Sequence, residues 1–595
     1  MKGKPEKVEK SKDLKKSMKN FILYLKPYLI PIIVATILAF IGSIFSIIGP
    51  DKIKEITNII VSGLKTTIDS DKIKSIALFL IIIYSIGALF NYIEGYIMST
   101  VTNKFSKKLR SEISEKINRL PLKYFDKTPY GDVLSRVTND VDTLSQTVNQ
   151  SIGTLVSSLT LLIGTIFMMF YTNWILAVTA IVSSLFGFLF MALVLVKSQK
   201  YFEQFQEEMG NLNGQIEETY TGHNIVKAYD GIEVEVKEFD QINEQMFNSS
   251  MKAHFYSGLM PPFMSFIGNF SYVCVCVVGA GLALNNVIDF GVIVAFIIYA
   301  RLFTQPLSQI AQVATNLQSA GAASERVFAF LQEPEMTDES NLVKHLDKSK
   351  VNGEIEFKHV KFGYDQNKII IKDFSMKASP GSKIAIVGPT GAGKTTLVNL
   401  LMKFYDINSG DILIDGVNLK DLTRENIHDL FIMVLQDTWI FEGTVKENIV
   451  YNQENVSFER IEEVSKLVGL NHVIKSLSHG YDTVLSDNES LSAGEKQLLT
   501  IARGMLKDAP FLILDEATSS VDTRTEELVS KAMDKLTEGR TSFIIAHRLS
   551  TIKNADLILV LNEGNIVEQG THEELLKKKG FYANLYNSQF ESINK

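Results

Sequence analysis

One stretch decides the fold of this 595-residue chain's second half: Gly388-Pro389-Thr390-Gly391-Ala392-Gly393-Lys394-Thr395. It follows an apolar run, Lys383–Val387, that is typical of a buried strand, and it precedes a run that favours a helix from Thr396. Glycines at this spacing let backbone N–H groups converge on phosphate oxygens, and a helix N-terminus adds positive potential. The pattern predicts a phosphate-binding loop, in which Lys394 reaches the β- and γ-phosphates and the Thr395 hydroxyl binds Mg²⁺.

A second signal is the apolar run Phe511-Leu512-Ile513-Leu514, which ends on Asp515 and Glu516. A run this dense is typical of a buried parallel strand, and two carboxylates at its end are costly unless they have a chemical role. Asp515 is predicted to hold Mg²⁺ directly or through water, and Glu516 to orient or deprotonate an attacking water. Helix capping is the alternative role for this pair.

Long apolar runs are concentrated in the first half of the chain. Six of them are long enough to span a bilayer, which needs about 20 apolar residues. They are Leu29–Ile48, Ile76–Met98, Ile152–Tyr171, Ile175–Val196, Phe263–Leu284 and Val292–Leu307. The predicted fold class is therefore an α-helical six-span transmembrane domain with long cytoplasmic helical extensions, followed by an α/β domain built around a phosphate loop.

Charge predicts the orientation of these spans. The basic start, Met1–Asn20, has eight Lys against three acidic residues, and Lys104–Asp142 has nine Lys or Arg against six Asp or Glu. By the positive-inside rule, both termini and the long connections are expected in the cytoplasm, and the short connections outside. The run Phe21–Pro50 exceeds a signal-peptide core of about 7–15 residues, so it is interpreted as a retained first membrane helix.

Lys104–Leu120 and Glu203–Gln215 have helical propensity, so the membrane helices are expected to continue into the cytosol over these residues. Breakers interrupt the two long connections at Pro129-Tyr130-Gly131 and at Gly222-His223-Asn224. A breaker between two long helices predicts a short transverse helix, here near 129–132 and 221–226. The domain prediction is a basic tail over 1–20, a transmembrane domain over 21–331, a polar linker over 332–350 and a nucleotide-binding domain over 351–595.

The segment Leu491-Ser492-Ala493-Gly494-Glu495, followed by Gln497, resembles the signature motif of ATP-binding cassette (ABC) proteins. The resemblance covers essentially the whole chain, because a membrane domain fused ahead of one cassette is similar to a half-transporter of the bacterial multidrug ABC exporters. Phe125–Asp132 also matches that family's first coupling helix. The resemblance implies ATP and Mg²⁺ as cofactors, and ATP hydrolysis coupled to transport.

Other family residues stand in the expected order. The resemblance implies that Tyr364 stacks on adenine, that Gln436 touches Mg²⁺, that His547 contacts the γ-phosphate and that Asp522 crosses the dimer interface. A core tyrosine and a buried structural histidine are the alternatives for Tyr364 and His547. The predicted nucleotide-binding residues are Tyr364, Gly388, Pro389, Thr390, Gly391, Ala392, Gly393, Lys394, Thr395, Thr396, Ser492, Gly494 and Asp522; the predicted catalytic residues are Glu516, His547, Gln436 and Lys394; the predicted Mg²⁺ ligands are Thr395, Gln436 and Asp515.

Two departures from the usual signature bear on assembly. Ala493 stands where the family has Gly, and Glu495 stands where Gln is common. At a helix N-terminus a methyl group crowds the backbone and a carboxylate repels an anion. In the family the signature serine caps ATP held by a second cassette, and bacterial heterodimers pair a chain of altered signature with a partner that has the reverse defects. A heterodimer with a second half-exporter chain is therefore predicted; a homodimer is the alternative.

Few residues in the sequence indicate which compound is transported. Ionisable residues inside membrane segments are candidate substrate contacts by default, here Arg301 and Glu94. Snorkelling to the membrane surface, or a place in the cytosolic extension of the helix, is the alternative for both. The resemblance implies export of amphipathic drugs or lipid-like molecules across the bacterial cytoplasmic membrane, with a lipid flippase or a peptide exporter as alternatives.

Bulk charge and domain order exclude other classes. The net charge is −7 and the sequence pI is about 5.9, so no basic field favours nucleic acid. Six spanning segments disfavour a soluble cassette ATPase. Nutrient importers of the family usually carry the membrane and cassette parts on separate chains, so the fused order disfavours an importer.

Overall fold

The computed structural model describes residues 14–64, 67–365, 368–435, 438–485, 491–515, 523–545 and 552–590. The chain forms two compact units. We call them the helical unit, which contains Met1–Arg119 and Pro129–Pro334, and the ATPase unit, which contains Leu120–Thr128 and Glu335–Lys595. A short internal segment of the membrane half of the sequence thus belongs to the ATPase unit.

Long helices make up the helical unit. Its described helices are α1 (Leu14–Tyr24), α2 (Leu29–Gly63), α3 (Ser70–Arg119), α5 (Tyr130–Ser135), α6 (Val141–Gln146), α7 (Ile152–Thr172), α8 (Trp174–Thr221), α9 (His223–Ala228), α10 (Ile232–Gly258), α11 (Met260–Leu284) and α12 (Phe290–Leu331). Helix α4 (Leu122–Phe125) lies in the ATPase unit. Two π-helical turns, Arg136–Asp140 and Thr147–Ser151, connect α5, α6 and α7 into one long rod.

Among the described residues, five helices are long and apolar enough to cross a membrane: Lys26–Gly63, Ser70–Arg119, Tyr130–Thr172, Ser265–Leu284 and Phe290–Leu331. These helices contain the first, second, third, fifth and sixth predicted spans, apart from the first residues of the fifth. The fourth predicted span lies in α8, whose described apolar part is the shorter run Trp174–Leu185.

Several helices continue well past their apolar spans. Helix α3 has 50 residues, which at about 1.5 Å per residue far exceeds a hydrocarbon core of about 30 Å. The sequence predicted helical extensions over Lys104–Leu120 and Glu203–Gln215, and α3 and α8 contain all of these residues except Leu120. The helical extensions are therefore present as predicted.

The short helices differ from the prediction at one of the two connections. Helix α9 (His223–Ala228) overlaps the predicted position near 221–226. At the first connection the short helix is α4 (Leu122–Phe125), ahead of the predicted position near 129–132. Pro121 and Pro129 each stand directly before a helix start, where a missing N–H costs nothing, so Pro129 separates the turn after α4 from α5.

Apolar side chains cover the outside of the helical unit. Ile30, Ile81, Ile163 and Val277 are each more than 60% exposed, although they lie within the predicted spans. Apolar exposure on this scale is costly in water and ordinary in hydrocarbon. A separate core forms where α7, α8, α11 and α12 meet, around residues such as Phe296. The surface of the unit fits a lipid environment.

Two main sheets build the ATPase unit. Its described strands are β1 (Ile355–Phe362), β2 (Ile371–Ala378), β3 (Lys383–Val387), β4 (Ser409–Ile414), β5 (Val417–Asn418), β6 (Phe431–Val434), β7 (Gly443–Thr444), β8 (Val484–Leu485), β9 (Phe511–Asp515), β10 (Thr541–Ile545), β11 (Leu557–Asn562) and β12 (Asn565–Gly570). The order β2-β1-β4-β5 is antiparallel, and the order β12-β11-β3-β10-β9-β6 is parallel except for β12.

Helices cover the parallel sheet and contribute to two hydrophobic cores of the ATPase unit. They are α13 (Lys394–Leu401), α14 (Arg424–Leu430), α15 (Val445–Val450), α16 (Phe458–Leu467), α17 (Asn471–Ser476), α18 (Ala493–Lys507), α19 (Thr523–Thr537), α20 (His572–Lys578) and α21 (Phe581–Phe590). Leu397 and Leu400 of α13 pack in one hydrophobic core with β1 and β3, whereas Leu498 and Leu499 of α18 pack in another with α15, α16 and α19. The phosphate loop and the signature segment thus rest on different cores.

Candidate nucleotide-binding site

The parallel sheet brings the two main sequence signals to one edge. Strand β10 lies between β3 and β9, with Ile545 paired to both Ile386 and Asp515. Because parallel strands end at a common edge, the loop after β3 and the carboxylate of Asp515 leave the sheet at the same edge, one strand apart. The predictions of a strand over Lys383–Val387 and of a buried parallel strand ending at Asp515 are confirmed.

The phosphate loop depends on two of its glycines. Gly393 has a φ of +100°, a conformation that L side chains rarely adopt, and it is the residue immediately before α13. A Cβ added at Gly388 would collide with the Leu561 carbonyl oxygen. Helix α13 begins at Lys394, so the predicted start at Thr396 was two residues late. The earlier start places the N–H groups of Thr395 and Thr396 in the first helical turn, where helix donors lack partners within the helix.

Lys394 folds back over its own loop. Its Nζ donates hydrogen bonds to the carbonyl oxygens of Gly388, at 2.8 Å, and Pro389, at 3.1 Å. Burial lowers the pKa of Lys394, and the Asp515 carboxylate opposes that shift. An ammonium group with three donors can stabilise the loop and also bind phosphate oxygens. Its position fits the predicted role.

Tyr364 lies next to the helix that follows the loop. Its hydroxyl is 3.3 Å from Thr396 Oγ1, and its ring packs edge-on against Phe362 and Tyr405, with centroids 5.1 and 5.0 Å away. The residue is only partly buried, so a portion of the ring remains accessible for stacking. Thr396 is buried and its hydroxyl faces Tyr364, so a nucleotide contact of Thr396 would come from its backbone.

The signature segment forms a capping box at the start of α18. The Ser492 hydroxyl accepts a hydrogen bond from Glu495 N at 3.3 Å, while Glu495 Oε2 accepts from Ser492 N at 2.7 Å and from the Ser492 hydroxyl at 2.8 Å. The carboxylate thus occupies the positive end of the helix. Among the described residues, no hydrogen bond joins Ser492 or Glu495 to the phosphate loop. Gly494 is buried in the first turn.

Four predicted residues lie outside the described part of the chain: Gln436, Glu516, Asp522 and His547. Their roles stay predictions. Two of them follow described strands closely in sequence, Glu516 directly after β9 and His547 two residues after β10.

The two candidate substrate residues differ in their surroundings. Arg301 on α12 is exposed. Glu94 on α3 faces α7 closely enough that a Cβ added at Gly153 would collide with its carboxylate. Glu94 therefore points into the helical unit, whereas Arg301 does not, and both assignments remain predictions.

Sequence reasoning missed one pair of residues near the site. Asp126 and Tyr405 join through a 2.5 Å hydrogen bond, and Tyr405 is the residue that packs on the ring of Tyr364. No local pattern signals this pair, because 279 positions separate its members. The aromatic run Phe404-Tyr405 resembles an ordinary core segment after a helix.

These features define the class of protein. The ATPase unit contains a phosphate loop, an acidic strand end at the same sheet edge and a capped signature helix, and in sequence it follows long apolar helices. These are the features of an ATP-hydrolysing membrane transporter. The chain belongs to the ABC transporter family, as a half-size exporter. The family model for the ABC transporter transmembrane region matches residues 32–307, and the ABC transporter model matches residues 371–519. The predicted fold class is confirmed.

Curated relatives match the chain over most of its length. A fatty acid ABC transporter ATP-binding/permease protein of Mycobacterium bovis is 43% identical over 84% of this chain and 79% of its own. An uncharacterised ABC transporter ATP-binding protein of Bacillus subtilis, YfiC, is 39% identical over 98% of this chain and 96% of its own. An ATP-dependent lipid A-core flippase of Syntrophus aciditrophicus is 34% identical over 88% of this chain and 87% of its own.

Proposed function

We propose that this chain exports amphipathic compounds, drugs or lipid-like molecules, across the bacterial cytoplasmic membrane by alternating access, as one half of a dimeric exporter. The observation that carries the proposal is the described phosphate loop beside Asp515 in a chain that also contains the membrane-spanning helices. Relatives named for fatty acid transport and lipid A-core flipping favour lipid-like cargo over drugs. Both termini are placed in the cytoplasm by the positive-inside rule.

Transport can be tested in proteoliposomes that contain the purified complex. We expect ATP-dependent movement of a fluorescent fatty acid or lipid analogue, and the Glu516→Gln variant serves as the inactive control. An amphipathic dye tests the drug alternative in the same vesicles. If ATP moves neither probe type, the amphipathic-export proposal is contradicted, although the family assignment is unaffected.

The donor set favours Mg²⁺ as the second cofactor. The Thr395 hydroxyl and the Asp515 carboxylate are hard oxygen donors of the kind that Mg²⁺ prefers, and the Gln436 side chain would supply a third. When bound, the ion would neutralise charge on the β- and γ-phosphates. Asp515 stands at the strand edge beside the phosphate loop, which is where such an ion is needed.

The chain's own groups then divide the chemistry among them. Backbone N–H groups of the loop and of the first turn of α13 would hold the phosphates, while Lys394 balances their charge. Glu516 would orient the attacking water and take up its proton, and His547 would contact the γ-phosphate. Tyr364 would hold adenine by stacking.

The capping box supports a heterodimer. A serine hydroxyl has one proton to donate, and in this chain Ser492 donates it to Glu495. The Glu495 carboxylate also accepts a hydrogen bond from Ser492 N, so it occupies the helix N-terminus that would otherwise attract phosphate. This signature would therefore face a site of low activity on the partner, while the partner's intact signature would complete the site that contains Glu516. A homodimer that tolerates Ala493 is the alternative.

Tyr364→Ala is expected to raise the ATP concentration for half-maximal hydrolysis about ten-fold, since stacking of a base on an aromatic ring contributes about 1–3 kcal/mol. Tyr364→Trp should largely preserve function, and Tyr364→Phe separates the ring from the hydroxyl contact with Thr396. Steady-state ATPase curves measure the effect. An unchanged alanine variant would return Tyr364 to a structural role.

A further inference from the structure

The first cytoplasmic connection enters the ATPase unit as the segment Leu120–Thr128. Two polar contacts fix it there. Tyr405 donates its hydroxyl to Asp126 Oδ2 at 2.5 Å, and Lys127 Nζ lies 3.2 Å from Oδ1 of Asp365, the neighbour of Tyr364 in sequence. The first contact is partly buried, whereas both side chains of the second are more than 60% exposed. Because an exposed ion pair contributes little, the bond to Tyr405 is the stronger of the two.

Tyr405 is a buried residue at the end of the turn that follows α13. Its ring meets Tyr364 nearly perpendicularly, at 87°, and packs against Phe362 at 5.8 Å. Burial and the hydrogen bond to Asp126 raise the pKa of Tyr405, so the phenol keeps its proton and stays a donor at physiological pH. The hydroxyl thus holds the ring at a fixed angle against Tyr364.

A cleft beside this ring leaves room for movement. Its volume is about 350 Å³, and its walls include Tyr364, Tyr405, Lys123 and Arg424. A side chain that borders open space is not held by packing alone on that side. The hydrogen bond from Tyr405 to Asp126 supplies the missing constraint.

The contacts form a continuous series from the segment to the phosphate-loop helix. Asp126 binds the Tyr405 hydroxyl, the Tyr405 ring packs on Tyr364, and the Tyr364 hydroxyl lies 3.3 Å from Thr396 Oγ1. Thr396 is in the first turn of α13, which follows the phosphate loop directly. A change at Asp126 therefore has a physical route to both ends of a bound nucleotide.

We propose that Tyr405 is a positioning residue for the adenine base, and that its bond to Asp126 makes ATP affinity depend on the docking of the segment Leu120–Thr128. The proposal rests on the stacking role of Tyr364. Since coupling of binding free energies is reciprocal, ATP would in turn strengthen the docking of this segment.

The test compares ATPase rates over a range of ATP concentrations in the full-length exporter complex. Tyr405→Phe keeps the ring and removes the hydroxyl, and Asp126→Ala removes the acceptor of its hydrogen bond. Each should raise KM for ATP about five-fold with little change in kcat, as expected for loss of one hydrogen bond of typical net strength. The double variant should be no worse than either single variant, because both remove the same interaction.

Lys127→Gln is the matched control, since it breaks the exposed contact of the same segment and should change KM by less than about two-fold. Additive effects in the double variant, or an unchanged KM in Tyr405→Phe, would overturn the proposal. If Asp126→Ala fails to fold, Tyr405→Phe decides alone. An effect of Tyr364→Ala without one of Tyr405→Phe refutes only this inference, whereas no effect of Tyr364→Ala refutes the stacking role itself.

Discussion

Replacing Glu516 with Gln is expected to lower ATP turnover by about 100-fold or more while ATP still binds, because a general base contributes about 10²–10⁴ in rate. Glu516 follows Asp515 directly in the sequence, and Asp515 is the last residue of β9. Strand β10 lies between β9 and β3, the strand that precedes the phosphate loop. Glutamine keeps the size of the side chain but cannot take up a proton from water.

Steady-state ATPase rates and binding of a fluorescent ATP analogue test this expectation together. The matched control is Glu527→Gln, which neutralises an exposed carboxylate on α19 that pairs with Lys531. It should leave both quantities within about two-fold of wild type, in line with the small contribution of exposed ion pairs. Undiminished turnover in Glu516→Gln would remove Glu516 from the catalytic role and leave Asp515 as the only carboxylate of this strand end with an assigned function.

The second large effect concerns the two signature serines of the dimer. Ser492→Ala in this chain is expected to reduce turnover by less than about two-fold, whereas alanine at the partner's signature serine should reduce it about 100-fold, as for loss of one preorganised transition-state donor. The reason is the capping box, in which the Ser492 hydroxyl already donates to Glu495. ATPase rates of each serine variant, measured on the chain alone and with its partner, give the comparison.

Loss of the helix cap must be separated from loss of function. Removing a serine or threonine cap costs about 1 kcal/mol of stability whatever the site does. Thr571→Ala is a suitable control, since Thr571 forms the same kind of capping box with Glu574 at the start of α20, outside the predicted site. A chain that is fully active alone and loses its activity on Ser492→Ala would establish the homodimer.

Local patterns predicted much of the site. The strand Lys383–Val387 was correct to the residue, and the predicted buried strand through Phe511–Leu514 is present, because dense apolar runs and a glycine-rich motif are local signals. The start of α13 was wrong by two residues. The left-handed conformation of Gly393 ends the loop one residue before Lys394, and helix propensity carries no information about that φ value.

Local sequence patterns did not predict the long-range contacts. Pro129 was interpreted as a break inside a turn, although it precedes the start of α5, because a proline is compatible with both positions. The bond between Asp126 and Tyr405 depends on which surfaces of the chain meet. Asp126 lies in the segment Phe125–Asp132 that matches the family's first coupling helix, but no local pattern links it to Tyr405. The capping box of Ser492 and Glu495 was predictable in principle from its spacing, but the family resemblance directed attention to phosphate instead.

The segment Leu120–Thr128 has a consequence for biosynthesis. Asp126 leaves the ribosome 279 residues before Tyr405, which at about 5–20 residues per second is a delay of roughly 14–56 s. The segment Leu120–Thr128, which connects α3 and α5, is therefore made before the rest of the membrane half and the start of the ATPase unit are translated. The ATPase unit then completes its fold around a piece of chain made long before it. A fragment that begins at Glu335 would lack that piece, and the Tyr405 hydroxyl would have lost its acceptor.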